Sequence, residues 1–340
     1  MFRSFFLDRR WMLWSVAGSL LILATTWFKV QLDVAVNSWF GEFYNLIQQA
    51  LSRPHAIKQE ALIGQLWSFA KISAVFVLVA ILLEFFISHY VFRWRSAMHD
   101  YYCQHWHKVR HIEGAAQRVQ EDTMRFARIL ETLGVSLLRS LMTLLAFLPL
   151  LWGLSSHVRE VPLLGEVSHV LIYVAILSAL FGTLLLALVG VKLPGLEFNN
   201  QKAEAALRKE LVLGEDDEAR ATPPSLSELF GHVRRNYIVM YRHYLYFNLA
   251  KWSYLQFSSI LPYVVMAPTI VSGAITLGIL QQIQRAFGRV AGSLEFLVNS
   301  WSTIVELMSV YKRLRAFELE IERAPDVQDH REQEWQGDVA

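Results

Sequence analysis

Residues 89–134, HYVFRWRSAMHDYYCQHWHKVRHIEGAAQRVQEDTMRFARILETLG, decide how this chain folds. They are polar and compatible with helix, and they lie between a hydrophobic segment of membrane length that ends near Phe92 and another that begins near Val135. Their apolar and aromatic side chains recur three or four positions apart, which predicts that the first of these membrane helices continues into solvent. Gly114 interrupts the pattern, and a new helix then returns to the bilayer. The stretch is therefore predicted to be a solvent-exposed bridge between two transmembrane helices.

The rest of the chain has the composition of a membrane protein. Of its 340 residues 54% are hydrophobic, and the mean hydropathy is +0.30, which is too high for an ordinary soluble domain. Six segments of the sequence are long enough to cross roughly 30 Å of hydrocarbon at about 1.5 Å per residue. They are residues 11–28, 66–92, 133–154, 167–191, 247–271 and 276–301. The sixth segment is distinctly polar.

The distribution of positive charge predicts the orientation. Lys and Arg are concentrated before the first segment, in the second-to-third and fourth-to-fifth connections, and after the sixth segment. Because short loops rich in Lys and Arg stay in the cytoplasm, both termini are predicted to be cytoplasmic. The predicted organisation is a cytoplasmic segment at 1–10, a transmembrane domain at 11–315 with long cytoplasmic helical connections at about 93–132 and 192–246, and a cytoplasmic tail at 316–340.

The second long connection carries its own local signals. Residues 197–213 are rich in strong helix formers, and Gly214 is predicted to cap the C-terminus of that helix. Pro223 and Pro224 are predicted to break the helical pattern. Ser225 and Glu228 have the spacing of a capping box, which predicts that a short helix starts there before the chain climbs back to the membrane.

Long inner and short outer connections are typical of the membrane half of an ABC exporter, and this all-α, six-helix arrangement is the predicted fold. No phosphate-binding loop of the form G-x-x-x-x-G-K-[ST] occurs; the nearest string, GVKLPG at 190–195, continues with Leu196 and Glu197. The residues after the sixth segment are too few for a nucleotide-binding domain. Energy is therefore expected from a separate ATPase or from an ion gradient. Since an exporter cavity needs about twelve helices, a homodimer is predicted.

A stripe of polar residues runs along the sixth segment. Lipid contact would be costly for these groups, so the stripe is predicted to line water or other helices. The alternative is a buried polar seam between helices that never meets a substrate. The stripe consists of Gln281, Arg285, Arg289, Gly292, Glu295, Asn299, Ser302 and Glu306, which recur at steps of three or four.

Several other carboxylates lie near the ends of helices that would surround the same space. A poorly solvated carboxylate can take up and release protons near neutral pH, as a proton-driven transporter requires. The alternative is that each is a solvated partner of a nearby base, such as Arg208 for Glu204. The candidates are Glu84, Glu121, Glu131, Glu197, Glu204 and Glu215, together with Glu295 and Glu306 of the stripe.

Other classes of site are not favoured. Cys103, His105, His107 and His111 lie close in sequence, but closing ligands at metal-site spacing are not evident, so neither a metal nor a cofactor is predicted. No catalytic motif is present, and an enzyme is not expected. The basic connections are explained by membrane orientation and the net charge is only +2, so nucleic acid is not a predicted partner.

Three strings carry a specific resemblance: HYVFRWR at 89–95, HIEGAAQRVQEDTMRFA at 111–127 and VKLPGLEFNNQKAEAALRKELVLGEDD at 191–217. They resemble the SbmA/BacA-like family of peptide transporters, over about residues 11–317. The resemblance implies a multi-pass protein of the bacterial inner membrane with the ABC-exporter arrangement. It also implies proton-driven import of proline-rich antimicrobial peptides, microcins and bleomycin-like compounds. Cavity-lining glutamates would couple the protons, and the matching motifs favour Glu131 and Glu204.

Two alternatives stay open at this point. The chain could be an ABC permease subunit whose ATPase is a separate polypeptide, docked on the turn at 114–120. It could instead be a membrane protein that modifies lipids or scaffolds the cell envelope and transports nothing.

Overall fold

The structure, a computed structural model, describes residues 1–53, 57–112, 114–158, 160–161, 165–217 and 219–323. These residues are almost entirely helical. The helices are α1 (Phe2–Phe6), α2 (Arg9–Ser52), α3 (Gln59–Gln104), α4 (Trp106–Val109), α5 (Ala115–Gln117), α6 (Thr123–Ile129), α7 (Val135–Ser155), α8 (Val170–Gly190), α9 (Leu193–Asp216), α10 (Pro223–Val271), α11 (Leu277–Leu294), α12 (Phe296–Asn299) and α13 (Trp301–Arg323).

The helix that contains the second apolar segment continues into the polar residues after it, as the opening stretch predicts. Helix α3 runs for 46 residues, through the apolar segment and on through the polar residues that follow Phe92. The bridge then turns at Gly114, whose φ of +74° is a left-handed conformation that glycine adopts without steric cost. Two π-helical turns, Arg118–Asp122 and Leu130–Gly134, flank α6 and lead into α7. The predicted helical continuation and the break at Gly114 are therefore confirmed, and the placement of this stretch in solvent between two membrane spans stays a prediction.

Five stretches of helix are long and apolar enough to cross a membrane in the part of the chain that the structure describes. Many large apolar side chains on their outer faces are exposed, as suits contact with hydrocarbon. The protein is therefore a multi-pass helical membrane protein. The five stretches are Arg9–Ser52, Gln59–Gln104, Ala115–Ser155, Val170–Glu215 and Pro223–Val271.

The predicted sixth segment is not one continuous helix. Helix α11 ends at Leu294, a turn at Glu295 separates it from the short helix α12, and a second turn at Ser300 precedes α13. The polar stripe and these interruptions keep the segment out of the set of long apolar helices. A sixth span therefore stays a prediction.

The predictions for the second long connection need two corrections. Gly214 does not cap α9, which continues to Asp216; a Cβ at Gly214 would overlap the Cβ of Ala221 in the returning loop. Ser225 does not start a short helix either, because α10 begins at Pro223 and is unbroken for 49 residues. Proline is well suited to the first helical turn, where its missing N–H has no partner to lose.

The connection between α7 and α8 contains the strands found in the described residues. Strands β1 (Glu160–Val161) and β2 (Gly165–Glu166) pair antiparallel. The all-α prediction did not include this small hairpin, which changes nothing in the helical architecture.

The chain divides into two compact units. The first comprises Met1–Val30, Ser73–Arg139 and Thr303–Ala340. Its core is aromatic: Phe5 stacks on Trp94 with ring centroids 5.4 Å apart, and the edge of Phe126 meets Trp94 at 5.9 Å. Burial of such large rings contributes strongly to the apolar stabilisation of this unit.

The second unit comprises Gln31–Ile72 and Ser140–Ser302. Helix α11 packs there against α8 and α10 through an apolar face that includes Ile283, Phe287 and Val290, all buried. The opposite, polar face of α11 meets α2 in its first half and is exposed further along, at Gly288, Arg289 and Gly292.

The start of α11 is fixed on α2. A Cβ at Gly278 would overlap the carbonyl oxygen of Gly41, so the two backbones touch where neither residue has a side chain. The amide of Gly278 donates to Asn45 Oδ1 over 3.0 Å, and the amide of Leu277 donates to Gln48 Oε1 over 2.8 Å. Side chains of α2 thus satisfy N–H groups that have no partner inside α11.

Candidate functional site

The polar stripe begins as a seam between α11 and α2. Asp33 on α2 accepts a hydrogen bond of 2.8 Å from Arg289 Nη2, and it lies 3.5 Å from Arg285 Nη2. The guanidinium of Arg285 also lies over the ring of Phe40, with its central carbon 4.9 Å from the ring centroid. One carboxylate therefore serves two guanidinium groups, and the cluster carries one excess positive charge.

The other members of the stripe differ in exposure. Gln281 is half-buried, and Arg289, Gly292, Asn299 and Glu306 are exposed. The amphipathic pattern is therefore present in α11, with its polar side open. Ser302 lies in α13, and its side chain is outside the described set.

Glu295 is the buried member of the stripe. Its side chain lies at the interruption between α11 and α12, and the residue is only 8% exposed. The hydroxyl of Tyr254 on α10 donates to Glu295 Oε1 and also lies 3.0 Å from the carbonyl oxygen of Ser178 on α8. A cavity of about 10 Å³ beside this pair is bordered by Lys251 and Asn299, among other residues. Three helices thus meet at one carboxyl group.

The single hydroxyl hydrogen of Tyr254 determines which hydrogen bonds this arrangement can form. A tyrosine hydroxyl has one hydrogen, but the hydroxyl of Tyr254 has two acceptors within reach. If Glu295 is ionised, one of the two acceptors loses the bond. If Glu295 is protonated, it can donate to the phenolic oxygen while Tyr254 donates to Ser178, and every group is satisfied. The site can therefore hold a proton on Glu295 and release it with a change of hydrogen bonding.

A glycine makes room for this contact. A Cβ at Gly182 on α8 would overlap the Tyr254 ring. We expect Gly182→Ala to displace Tyr254 and to destabilise the protein by about 1–3 kcal/mol, the usual cost of overpacking. Thermal unfolding in detergent would measure this change. Gly153→Ala on α7 is the matched control, because a Cβ there meets nothing within 4 Å. Equal stability of both variants would contradict the tight packing around Tyr254.

The glutamates that the family resemblance favours are placed differently. Glu131, in the second π-helical turn, accepts a hydrogen bond of 2.5 Å from Ser88 Oγ on α3. Glu204, on α9, is half-buried, and no ion pair joins it to Arg208, although the structure describes both residues. The simple ion pair considered for Glu204 is therefore not formed.

The remaining glutamates have more ordinary surroundings. Glu121 pairs with Arg125 at 2.7 Å, and Arg125 lies 4.0 Å from Glu306. Glu197 is half-buried on α9 and has an interaction of its own. Glu84 on α3 and Glu215 on α9 are exposed.

The first unit holds a larger polar cavity, of about 660 Å³, beside the Gly114 turn. Asp122, 4% exposed, accepts hydrogen bonds of 2.9 Å and 2.7 Å from Nε and Nη2 of Arg313. These bonds raise the pKa of Arg313 further above its ordinary value. The lining residues are Ile112, Gly114, Gln117, Arg118, Glu121, Asp122, Arg125 and Arg313.

Sequence reasoning missed Asp33, Tyr254, Asp122 and Arg313 as members of these sites. Asp33 left a signal, since it is a charge that follows an apolar run on the same helix. Tyr254 is one of several aromatic residues in its segment, and no sequence signal distinguishes it from the others. Asp122 and Arg313 lie 191 positions apart, and neither spacing nor periodicity links them.

Comparison with known proteins gives one family and several distant relatives. The model of the SbmA/BacA-like family matches residues 8–322. The inner membrane ABC transporter ATP-binding protein YddA of Escherichia coli is 25% identical over 92% of this chain and 58% of its own length. An uncharacterized ABC transporter ATP-binding protein of Synechocystis is 22% identical over 92% of this chain and 47% of its own. ABC transporter D family member 2, chloroplastic, of Arabidopsis thaliana is 24% identical over 88% of this chain and 41% of its own length. The chain thus spans about half the length of the curated relatives it matches.

Proposed function

The chain belongs to the SbmA/BacA-like family, and from this premise we propose that it imports peptides and peptide-like antibiotics across the bacterial inner membrane, driven by the proton gradient. The multi-pass helical architecture supports a transport role. The names of its relatives, which are ABC transporters, agree with such a role.

One observation carries the proton-driven mechanism: the buried carboxyl group of Glu295 against the Tyr254 hydroxyl. Transport by alternation between two states needs a group that binds a proton from one side and loses it to the other. Glu295 lies in a segment proposed to be the sixth span, and it has a hydrogen-bonding arrangement suited to each protonation state. Its burial keeps the proton from exchanging freely with bulk water.

A homodimer in the exporter arrangement, with cytoplasmic termini, is part of the proposal. Lys71 and Glu84 on α3 and Arg139 on α7 are exposed on helices that carry apolar surfaces. Contact with lipid would be costly for these charges, and a second copy or a water-filled cavity between two copies would receive them. The acidic groups around such a cavity would favour cationic peptides.

A second candidate function has its own support. The relatives are named as ATP-binding proteins, and this chain spans only about half their length. The polar cavity beside Gly114 and Gln117 is a surface on which a separate ATPase subunit could dock. In that case transport would need ATP.

The experiment is reconstitution in liposomes that contain no ATP. A fluorescent proline-rich peptide is added outside, and the external pH is lowered. We expect the peptide to accumulate inside, and a protonophore to abolish the accumulation. Uptake at the same rate with and without the pH gradient, or uptake only with ATP and a partner ATPase, would exclude the proton-driven mechanism.

The same assay tests the glutamates favoured by the family resemblance. We expect Glu131→Gln and Glu204→Gln each to abolish gradient-driven uptake while peptide binding and folding persist, because glutamine keeps the shape but fixes the neutral form. Glu320→Gln on the exposed surface of α13 is the control and should transport normally. Wild-type uptake in both test variants would assign Glu131 and Glu204 structural roles.

A further inference from the structure

We propose that Arg285 and Arg289 bind the C-terminal carboxylate of the transported peptide. This inference rests on the proposed function, because it names the part of the cargo that the polar stripe recognises.

The first support is the charge imbalance around Asp33. Its single carboxylate faces two guanidinium groups, at 2.8 Å and 3.5 Å. Within the described part of the chain, neither guanidinium has a second carboxylate at ion-pair distance. In the proposed sixth span, an excess charge would be costly unless an opposite charge arrives, and charged residues inside membrane spans are functional by default.

The second support is unused hydrogen-bonding capacity. Arg285 Nε is buried and has no hydrogen-bond partner in the structure. Arg289 is 42% exposed and gives one Nη2 hydrogen bond to Asp33, although a guanidinium has five N–H groups. The guanidinium of Arg285 lies over the ring of Phe40, with its central carbon 4.9 Å from the ring centroid, and this contact limits its movement. Two oriented guanidinium groups with free donors suit a planar carboxylate.

The third support is open space. Two glycines lie on the exposed side of α11. Gly288 directly precedes Arg289, and Gly292 follows it by about one helical turn. A Cβ at either position would meet nothing within 4 Å. The end of an extended peptide can therefore approach the backbone of α11 beside the two arginines.

The chemistry of the cargo identifies the anion. Every linear peptide with a free C-terminus carries one carboxylate there, whatever its sequence. A cationic peptide has few others. Recognition of this group would hold one end of the cargo and leave its side chains free, which suits a transporter of varied peptides. A Glu or Asp side chain of the cargo has the same chemistry, and the experiment separates the two sources.

The test uses one peptide in three forms: free acid, C-terminal amide, and an amide with one internal glutamate. Each carries the same fluorophore at its N-terminus. In the liposome assay we expect the wild type to take up the free acid about tenfold better than either amide, since hydrogen bonds to charged groups are the stronger ones. Arg289→Gln and Arg285→Gln should each lower free-acid uptake much more than amide uptake, so that the ratio of acid to amide uptake falls from about tenfold towards one.

Two further variants sharpen the comparison. Asp33→Asn removes the competing carboxylate and should strengthen binding of the free acid. Arg234→Gln, at an exposed position of α10, is the control and should behave as wild type. Equal loss of acid and amide uptake in the arginine variants would show a structural seam and overturn the proposal. Equal uptake of acid and amide by the wild type would also overturn it, and rescue by internal glutamate would assign the site to side chains.

Failure of the proposed function gives a different result, namely no gradient-driven uptake of any peptide by the wild type. The carboxylate site is then tested by fluorescence anisotropy on the detergent-solubilised protein. Tighter binding of the acid than of the amide, lost in Arg289→Gln, would support the site without transport. Equal binding of acid and amide would overturn it.

Discussion

Glu295→Gln is expected to abolish peptide uptake driven by a pH gradient while the protein stays folded. Glutamine fits the same space and can still hydrogen-bond to Tyr254, but it cannot bind or release a proton. Uptake of a fluorescent peptide into ATP-free liposomes measures the effect, and thermal unfolding in detergent checks the fold. Glu320→Gln is the matched control, because Glu320 is an exposed carboxylate paired with Arg323.

Tyr254→Phe separates the proton carrier from its partner. Phenylalanine fills the ring site but removes the hydroxyl that joins Glu295 to Ser178. Uptake should fall without disappearing, since Glu295 can still be protonated. Normal gradient-driven uptake by Glu295→Gln would show that the proton is carried elsewhere in the molecule. Glu131 and Glu204 would then be the candidates for proton coupling.

The second large effect is expected on stability. Asp122→Ala leaves Arg313 without the carboxylate that accepts two of its hydrogen bonds. Loss of one partner of a fully buried ion pair costs about 3–5 kcal/mol. Arg313 is 42% exposed, so water compensates part of this loss, and we expect a cost of about 2–3 kcal/mol. A fall in the midpoint of thermal unfolding in detergent would show it.

Asp217→Ala is the control for this experiment. Asp217 lies 3.8 Å from Arg220, but it is 54% exposed, so its ion pair contributes little. A double variant, Asp122→Ala with Arg313→Met, should recover part of the stability because no unpaired charge remains. An unfolding midpoint for Asp122→Ala as high as that for Asp217→Ala would contradict a stabilising role for the buried pair.

The long helices could be predicted from the sequence because their signals are local. The polar continuation of α3 and the break at Gly114 follow from periodicity and from one residue type. The corrections arose where a local signal met a contact that the sequence does not display. Gly214 is needed for the approach of Ala221 rather than for a helix cap, and Pro223 starts the helix that Ser225 was predicted to start.

Only the residues of the candidate site that lie in the sixth segment could be predicted from the sequence. Spacing along the sixth segment of the sequence revealed the polar stripe with Arg285, Arg289 and Glu295. Their partners lie on other helices: Asp33 is 256 positions from Arg289, and Tyr254 is 41 positions from Glu295. Which residues meet across such distances depends on helix packing, which periodicity does not specify.

The attachment of α11 to α2 limits how α11 can move. Its first turn is held by Asn45, Gln48 and the backbone contact with Gly41, whereas its other end stops at Glu295. Sliding of α11 along its axis would break these bonds together, and it would also displace the buried side chains of Ile283, Phe287 and Val290. The interruption at Glu295 is the point at which the chain can bend without breaking either set of contacts. The carboxyl group proposed to exchange the proton lies at that point, so a change in its bonding to Tyr254 would act directly where the helix direction is set.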